Sequence, residues 1–139
     1  MVYVSPAFER GNDAPNQWDY VLSNFGVSTE NVWYRGSISG YNGRYQQVTD
    51  TLQQVCEEVP LVVVQPKDGL HIQGTESLVT FTHPEEALYV FGSNHAHLVP
   101  EEVLGSRLPD YCVYIPVEYE MYSWVAAAVV LYDRQVKNG

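Results

Sequence analysis

Residues 87 to 103, ALYVFGSNHAHLVPEEV, run from a continuous apolar stretch into Gly92 and then into small polar residues and imidazoles. An apolar run that ends in Gly-Ser-Asn-His is how a buried strand delivers its last residues to a ligand pocket, and it is also how many strands simply stop. His95 and His97, together with His71 and His83, are the side chains here that suit a metal. No Cys or carboxylate at ligand spacing completes the set, so no metal site is expected and the histidines are read as surface or pocket-rim residues. Cys56 and Cys112 lie too far apart, and are too few, for a disulfide framework or a zinc site; their apolar surroundings mark two buried thiols. Glu118, Tyr119, Glu120 and Tyr122 crowd the stretch before the last apolar segment. Carboxylates there suit a general base, and equally the start of a helix, whose N-terminus favours acidic residues.

These residues need elements to position them. VYVS (2 to 5), closed by Pro6, reads as a first strand. In PNQWDYVLSNFG, Trp18, Val21, Leu22 and Phe25 follow i, i+3, i+4, i+7 spacing, and Gly26 is a C-terminal stop for that helix. NVWYR (31 to 35) is a second strand. VTDTLQQVCEEV predicts a second helix with Val48, Leu52, Val55, Cys56 and Val59 on one side. LVVVQP (61 to 66) lacks polar alternation, which suits a parallel strand buried on both faces. Residues 67 to 80 form a Gly-containing excursion with an irregular strand at its end. ALYVFG (87 to 92) and YCVYIP (111 to 116) are further buried strands, VPEEVLGSR is a short helix, and the last helix spans about 121 to 136. On that helix Val125, Ala128, Val129 and Tyr132 form an apolar face suited to a core or an interface between copies.

Strands alternating with helices predict one α/β domain over residues 1 to 139, with a mostly parallel sheet and flanking helices. In such sheets ligands bind beyond the carboxyl ends of the strands. If the three buried strands are neighbours, Gln65-Pro66-Lys67, Gly92-Ser93-Asn94 and Ile115-Pro116-Val117 line one crevice.

Composition narrows the function further. Apolar residues are 45% and charged residues 17% of the chain, a globular balance. The N-terminus turns polar after four residues, so no secretory leader is read. WVAAAVVLY (124 to 132) is far shorter than the ~20 residues that span a bilayer, and a cytoplasmic location is expected. The net charge of −10 weakens any expectation of tight, sequence-independent binding to nucleic acid, which depends on Lys and Arg displacing phosphate counterions. The basic residues are Arg10, Arg35, Arg44, Lys67, Arg107, Arg134 and Lys137; the first three fall between 10 and 44, where a local basic patch can form.

The last third of the chain carries a specific likeness. FTHPEEALYVFGSNHAHLVPEEVLGSRLPDYCVYIP, followed by an Ala-rich helix ending in LYDR, resembles the SpoU/TrmH branch of the SPOUT RNA methyltransferases. Gly92, Leu98, Ile115, Pro116, Ala126 to Ala128 and Tyr132 match that family's motifs in order and rough spacing, over about residues 80 to 135. His83-Pro84-Glu85 and Asn24-Phe25-Gly26 are also similar.

The resemblance implies a C-terminal trefoil knot, an exception to the rule that chains avoid knots. It implies an obligate homodimer and a bent S-adenosyl-L-methionine (SAM) held by backbone groups of the knot loops. Gln65, Gly92, Leu98, Ile115, Pro116 and Ser123 would hold this cofactor. Ile115 would pack on the adenine, Gly92 would allow close backbone approach, and Ser123 would stand at the motif serine. The carboxylates at 118 and 120 would lie near the sulfonium. The chain also departs from the pattern. The family's first-helix arginine is Tyr20, its motif glutamate is Asn94, its second motif glycine is His97, and Ser-Leu-Asn reads Ser123-Trp124-Val125. Anchoring on Tyr132 instead puts Glu120-Met121-Tyr122 at that last motif. Catalytic roles would then rest on Ser123 and Asn94, with Arg10, Arg35 or Arg44 replacing the missing cation. Two readings follow: a SAM-dependent ribose 2′-O-methyltransferase acting on transfer or ribosomal RNA, or a non-methylating protein on the same scaffold that binds SAM, a nucleotide or another protein.

Overall fold

The computed structural model describes residues 1–8, 15–36, 43–66, 74–93, 99 and 101–139. Its centre is a five-stranded sheet in the order β1-β7-β5-β8-β6, comprising β1 (Val2–Ser5), β7 (Ala87–Val90), β5 (Leu61–Gln65), β8 (Tyr111–Tyr114) and β6 (Glu76–Ser77). Every pairing in it is parallel. A small parallel sheet, β2-β3-β4, comprises β2 (Ala7–Phe8), β3 (Trp33–Gly36) and β4 (Gln46–Gln47); a bridge from Val4 to Val32 adjoins it to β1. NVWYR is therefore a strand, but of a separate sheet.

The central strands are apolar on both faces because both faces are covered. Val62, Val64, Tyr89, Phe91 and Val113 join one core with Trp18 and Leu22 of α1 (Pro15–Asn24) and Ala127, Val130 and Leu131 of α3 (Ser123–Asn138). Leu61, Val63, Leu88, Val90 and Cys112 join a second core with Leu52, Val59, Val99 and Leu104, the last from α2 (Glu101–Leu104). Helix α1 ends as its sequence predicts. Gly26 takes φ +69°, and the N–H groups of Gly26 and Val27 bond Ser23 O (3.1 Å) and Leu22 O (3.0 Å), a Schellman closure.

The helix expected over VTDTLQQVCEEV does not form. Only a 3-10 turn, Leu52–Gln54, follows Thr51, and Cys56 sits at φ 50°. The reason is Arg107. Its guanidinium donates to the carbonyls of Leu52 (3.3 Å), Val55, Cys56 (3.2 Å) and Val59 (2.7 Å). These carbonyls, of which Leu52 O and Cys56 O also accept from Val55 N and Val59 N, converge on one guanidinium, while Leu52 and Val59 still reach the second core.

Candidate ligand site at the strand exits

The three strands whose exits carry Gln65, Gly92 and Ile115 are consecutive neighbours in the sheet, β7-β5-β8. Beyond their carboxyl ends lies one cleft. Val64, Gln65 and Pro66 line it from β5, Phe91 and Gly92 from β7, and Ile115 and Val117 from β8. Residues 118 to 121 and Ser123 and Ala126 of α3 complete the wall. The cleft is a narrow slot of about 60 Å³.

Two polar side chains of its lining are buried, Gln65 and Ser123, each 5% exposed; Ser93, next in sequence to Gly92, is buried as well. Gln65 Oε1 accepts from Val99 N at 3.0 Å, which ties the β5 exit to the chain beyond Gly92 and leaves the amide N–H groups as the donors of that side chain. Ser123 opens α3, and Tyr122 stacks on Trp124 with ring centroids 4.7 Å apart and planes 5° apart. Glu118, Tyr119 and Glu120 are exposed on the same loop.

Gln65, Gly92, Ile115 and Ser123 are thus brought to one slot. Pro116 is not among its lining residues; it lines a neighbouring hollow with Leu78, Val79 and residues of α3 including Val129 and Tyr132. Arg10, Asn94 and Leu98 lie outside the described residues, as do Lys67, His71, His95 and His97.

Arg35 does not supply a surface cation. It is 8% exposed, and its guanidinium donates to Ser5 Oγ (3.0 Å), Ser5 O (3.2 Å) and Phe91 O. Burial of an arginine is sustained by such charge-assisted bonds, and here they fix the backbone immediately before Gly92. Its sequence offered no sign of this role beyond its place at a strand end. Arg44 pairs with Asp19, which also accepts from Tyr45 Oη at 2.5 Å. The expected basic patch therefore contributes one exposed cation, Arg44, from the described residues. Tyr20, at the position of the missing arginine, is 74% exposed.

His83 corrects its expected surface role. It is 5% exposed, with Nδ1 2.7 Å from Tyr89 Oη and Nε2 2.7 Å from Asp133. Burial pushes its pKa down, opposed by the bond to Asp133. Arg134 donates to Pro84 O (2.5 Å) and Tyr89 Oη (3.1 Å), and Lys137 to Leu78 O (2.6 Å) and Phe81 O (2.9 Å). The end of α3 is thereby fastened to residues 78 to 85. Cys112 is buried and Cys56 half-buried; both thiols are free, and burial raises both pKa values. Among the described residues no His, Cys, Asp and Glu cluster suits a metal, and no helix is long and apolar enough to cross a membrane.

By sequence, no family model and no curated protein matches the chain. By structure, it is similar to the A. aeolicus TrmH/SpoU tRNA modifying enzyme, with TM-score 0.70 and 15% identity over 99% of this chain and 75% of that one. It is similar to the AdoMet-bound rRNA methyltransferase of Sinorhizobium meliloti (TM-score 0.67, 13% identity, 98% of this chain and 56% of that one). The SpoU methyltransferase AviRb from Streptomyces viridochromogenes, solved with AdoMet, aligns at TM-score 0.63 and 19% identity, over 99% of this chain and 60% of that one. The chain thus spans less than two thirds of the length of the last two. Its α/β architecture, with a parallel sheet and flanking helices, is the fold of the SpoU/TrmH-type RNA methyltransferases, carried by a divergent sequence.

Proposed function

We propose that the chain is a SAM-dependent ribose 2′-O-methyltransferase acting on transfer or ribosomal RNA. The observation that carries the reading is the convergence of the β7, β5 and β8 exits and the start of α3 on one slot, within a fold shared with AdoMet-bound RNA methyltransferases. The residues at the slot fit the cofactor in kind: Ile115 and Phe91 offer apolar surface to a base, Gly92 leaves its part of the wall without a side chain, and Gln65 retains hydrogen-bond donors. The bound cofactor would supply an electrophilic methyl group on a sulfonium. The chain's contribution is positional: Ser123 and Asn94 orient the acceptor hydroxyl, Arg35 holds Phe91 and Gly92 in place, and alignment provides the main acceleration. Arg10 and Leu98 complete the proposed RNA and cofactor contacts. A trefoil-knotted C-terminal region, a single domain, a homodimer and a cytoplasmic location belong to the same reading.

The test is transfer of labelled methyl from SAM into structured RNA, alongside calorimetric titration of SAM. Binding and transfer together support the proposal. The committed state of the described cations and the exposed tyrosine at position 20 favour a second reading, a SAM-binding scaffold without methylation. SAM binding with no accepting RNA pool and no salt-sensitive RNA binding establishes that second reading instead.

A further inference from the structure

The segment between β8 and α3 carries aromatic rings to the mouth of the slot. Val117 N donates to Ile115 O at 2.8 Å, a three-residue turn at Pro116, and residues 117 to 121 then run along the slot wall. Tyr119, on that wall, is 78% exposed. Tyr122 and Trp124 lie on either side of the lining residue Ser123 in sequence, and their rings stack with centroids 4.7 Å apart and planes 5° apart.

This ring pair is anchored on one side and open on the other. Trp124 is half-buried and packs against the first core. Tyr122 is 58% exposed although one of its faces lies on Trp124, so its open area is the opposite face and the ring edge. A flat ring backed by a second ring that the core holds is already ordered before any ligand arrives, which removes part of the cost of binding.

Two considerations select a nucleobase as the occupant. An acceptor nucleotide must come to this mouth to meet a donor held in the slot. The chain also carries a net charge of −10, which disfavours a hold on RNA made through phosphates. Stacking needs no cation, since every base has a π face. Bases inside a duplex are stacked on their neighbours and present only their edges, whereas bases of loops and bulges can be splayed onto an aromatic ring.

We propose that Tyr122, backed by Trp124 and joined by Tyr119, is a stacking platform for an unpaired nucleobase, and that the RNA this site takes is a single-stranded loop, not a duplex. This rests on the reading of the slot as the SAM site of an RNA methyltransferase and adds the class of RNA it accepts. A base on the Tyr122 ring is held beside the start of α3, where Ser123 lines the slot.

The experiment is fluorescence anisotropy of a labelled RNA hairpin with an unpaired loop, and of a fully paired duplex containing the same loop sequence. Each is titrated with the full chain and with Y119A, Y122A, Y122L and Y122F. Wild type is expected to prefer the hairpin by about tenfold or more, and the preference should persist from about 0.1 to 0.5 M salt, because stacking is not screened as charge is. Y122A and Y122L should each lose about fivefold to a hundredfold on the hairpin, the range of one stacked base, with little change on the duplex. Y119A should weaken the hairpin in the same sense, and Y122F, which keeps the ring, should bind like wild type. Thermal melts without RNA check that each variant is folded. Equal affinity for hairpin and duplex, or no binding of either, overturns the platform. So does a Y122L variant that binds like wild type, which would reduce the ring to apolar bulk. A halved mass of Y122A in light scattering, with hairpin affinity unchanged, assigns the rings to a contact between copies and overturns it too. Titration of SAM into the same preparations separates this proposal from the one beneath it. SAM binding and methyl transfer without a loop preference remove the platform and keep the methyltransferase, whereas a ring-dependent loop preference without SAM binding keeps the platform and removes the methyltransferase.

Discussion

At Arg107 one guanidinium does the work of a helical turn, since the carbonyls of Leu52, Val55, Cys56 and Val59 converge on it. Arg107→Ala should lower unfolding free energy by about 1–3 kcal/mol, because partly buried acceptors lose charge-assisted partners. Arg107→Lys should recover only part of that, since an ammonium cannot reproduce the planar fork; urea denaturation measures both. His83 gives a pH signature. Its folded pKa lies below the ordinary imidazole value of about 6.5, so the unfolded chain takes up the proton first as pH falls. The stability it contributes is therefore present above about pH 6.5 and is lost as pH falls from there through the folded pKa. The urea midpoint should decline between about pH 7 and 5 in wild type and decline less in His83→Gln, which removes the titrating ring. Gly92→Val should weaken SAM binding sharply while leaving the thermal midpoint near that of wild type, since the added side chain would occupy the slot's wall.

Among the elements, two glycines separate backbone strain from steric conflict. Gly26 closes α1 at φ +69° with nothing within 4 Å of an added Cβ, so Gly26→Ala should cost about 1 kcal/mol through the left-handed backbone alone. Gly36, at the end of β3, has φ +87°, and a Cβ there would stand 2.1 Å from Phe8 O. Gly36→Ala should therefore cost clearly more than Gly26→Ala by thermal unfolding, because β2 and β3 must part to admit it. The C-terminal helix illustrates a different balance. Its buried residues are Ser123, Ala127, Val130 and Leu131, whereas Val125 and Tyr132 of the other apolar stripe are 38% and 61% exposed. That second stripe, with Val136, Val79 and Pro116 around the neighbouring hollow, is the surface on which the proposed homodimer would form. Light scattering should give twice the chain mass at micromolar concentration. One chain mass across a tenfold dilution series rejects the dimer.

For the molecule as a whole, charge decides what it can hold. A net charge of −10 combines with described cations that are bonded to carbonyls or to Asp19. Each phosphate contact contributes a salt slope of about −0.7 to −0.9. If RNA binds through the described part of the 10 to 44 patch, Arg44 is the exposed cation there, and Arg44→Ala should flatten the slope by about one contact. An unchanged slope would place the contacts on cations other than Arg44.

Much of this was legible in the chain because parallel central strands need apolar residues on both faces. The runs at 61–65, 87–91 and 111–115 announced themselves without periodicity, and Trp18, Val21, Leu22 and Phe25 announced α1 through theirs. The glycine at 26 marked where that helix stops, and the polar and small residues after each run marked the exits that meet at the slot. Local pattern could not reveal interactions made across about fifty residues. The periodic apolar residues from 48 to 59 do face a core, yet Arg107 takes the carbonyls a helix would need, and that partner lies far along the chain. Arg35 and His83 have the composition of surface residues and are buried because distant carbonyls, a phenol and a carboxylate surround them. Sequence determined which segments must be buried, since burial depends on residue type and local order. Only the tertiary structure decided which polar groups would satisfy one another there, because each such bond requires two positions that nothing in the local sequence brings together.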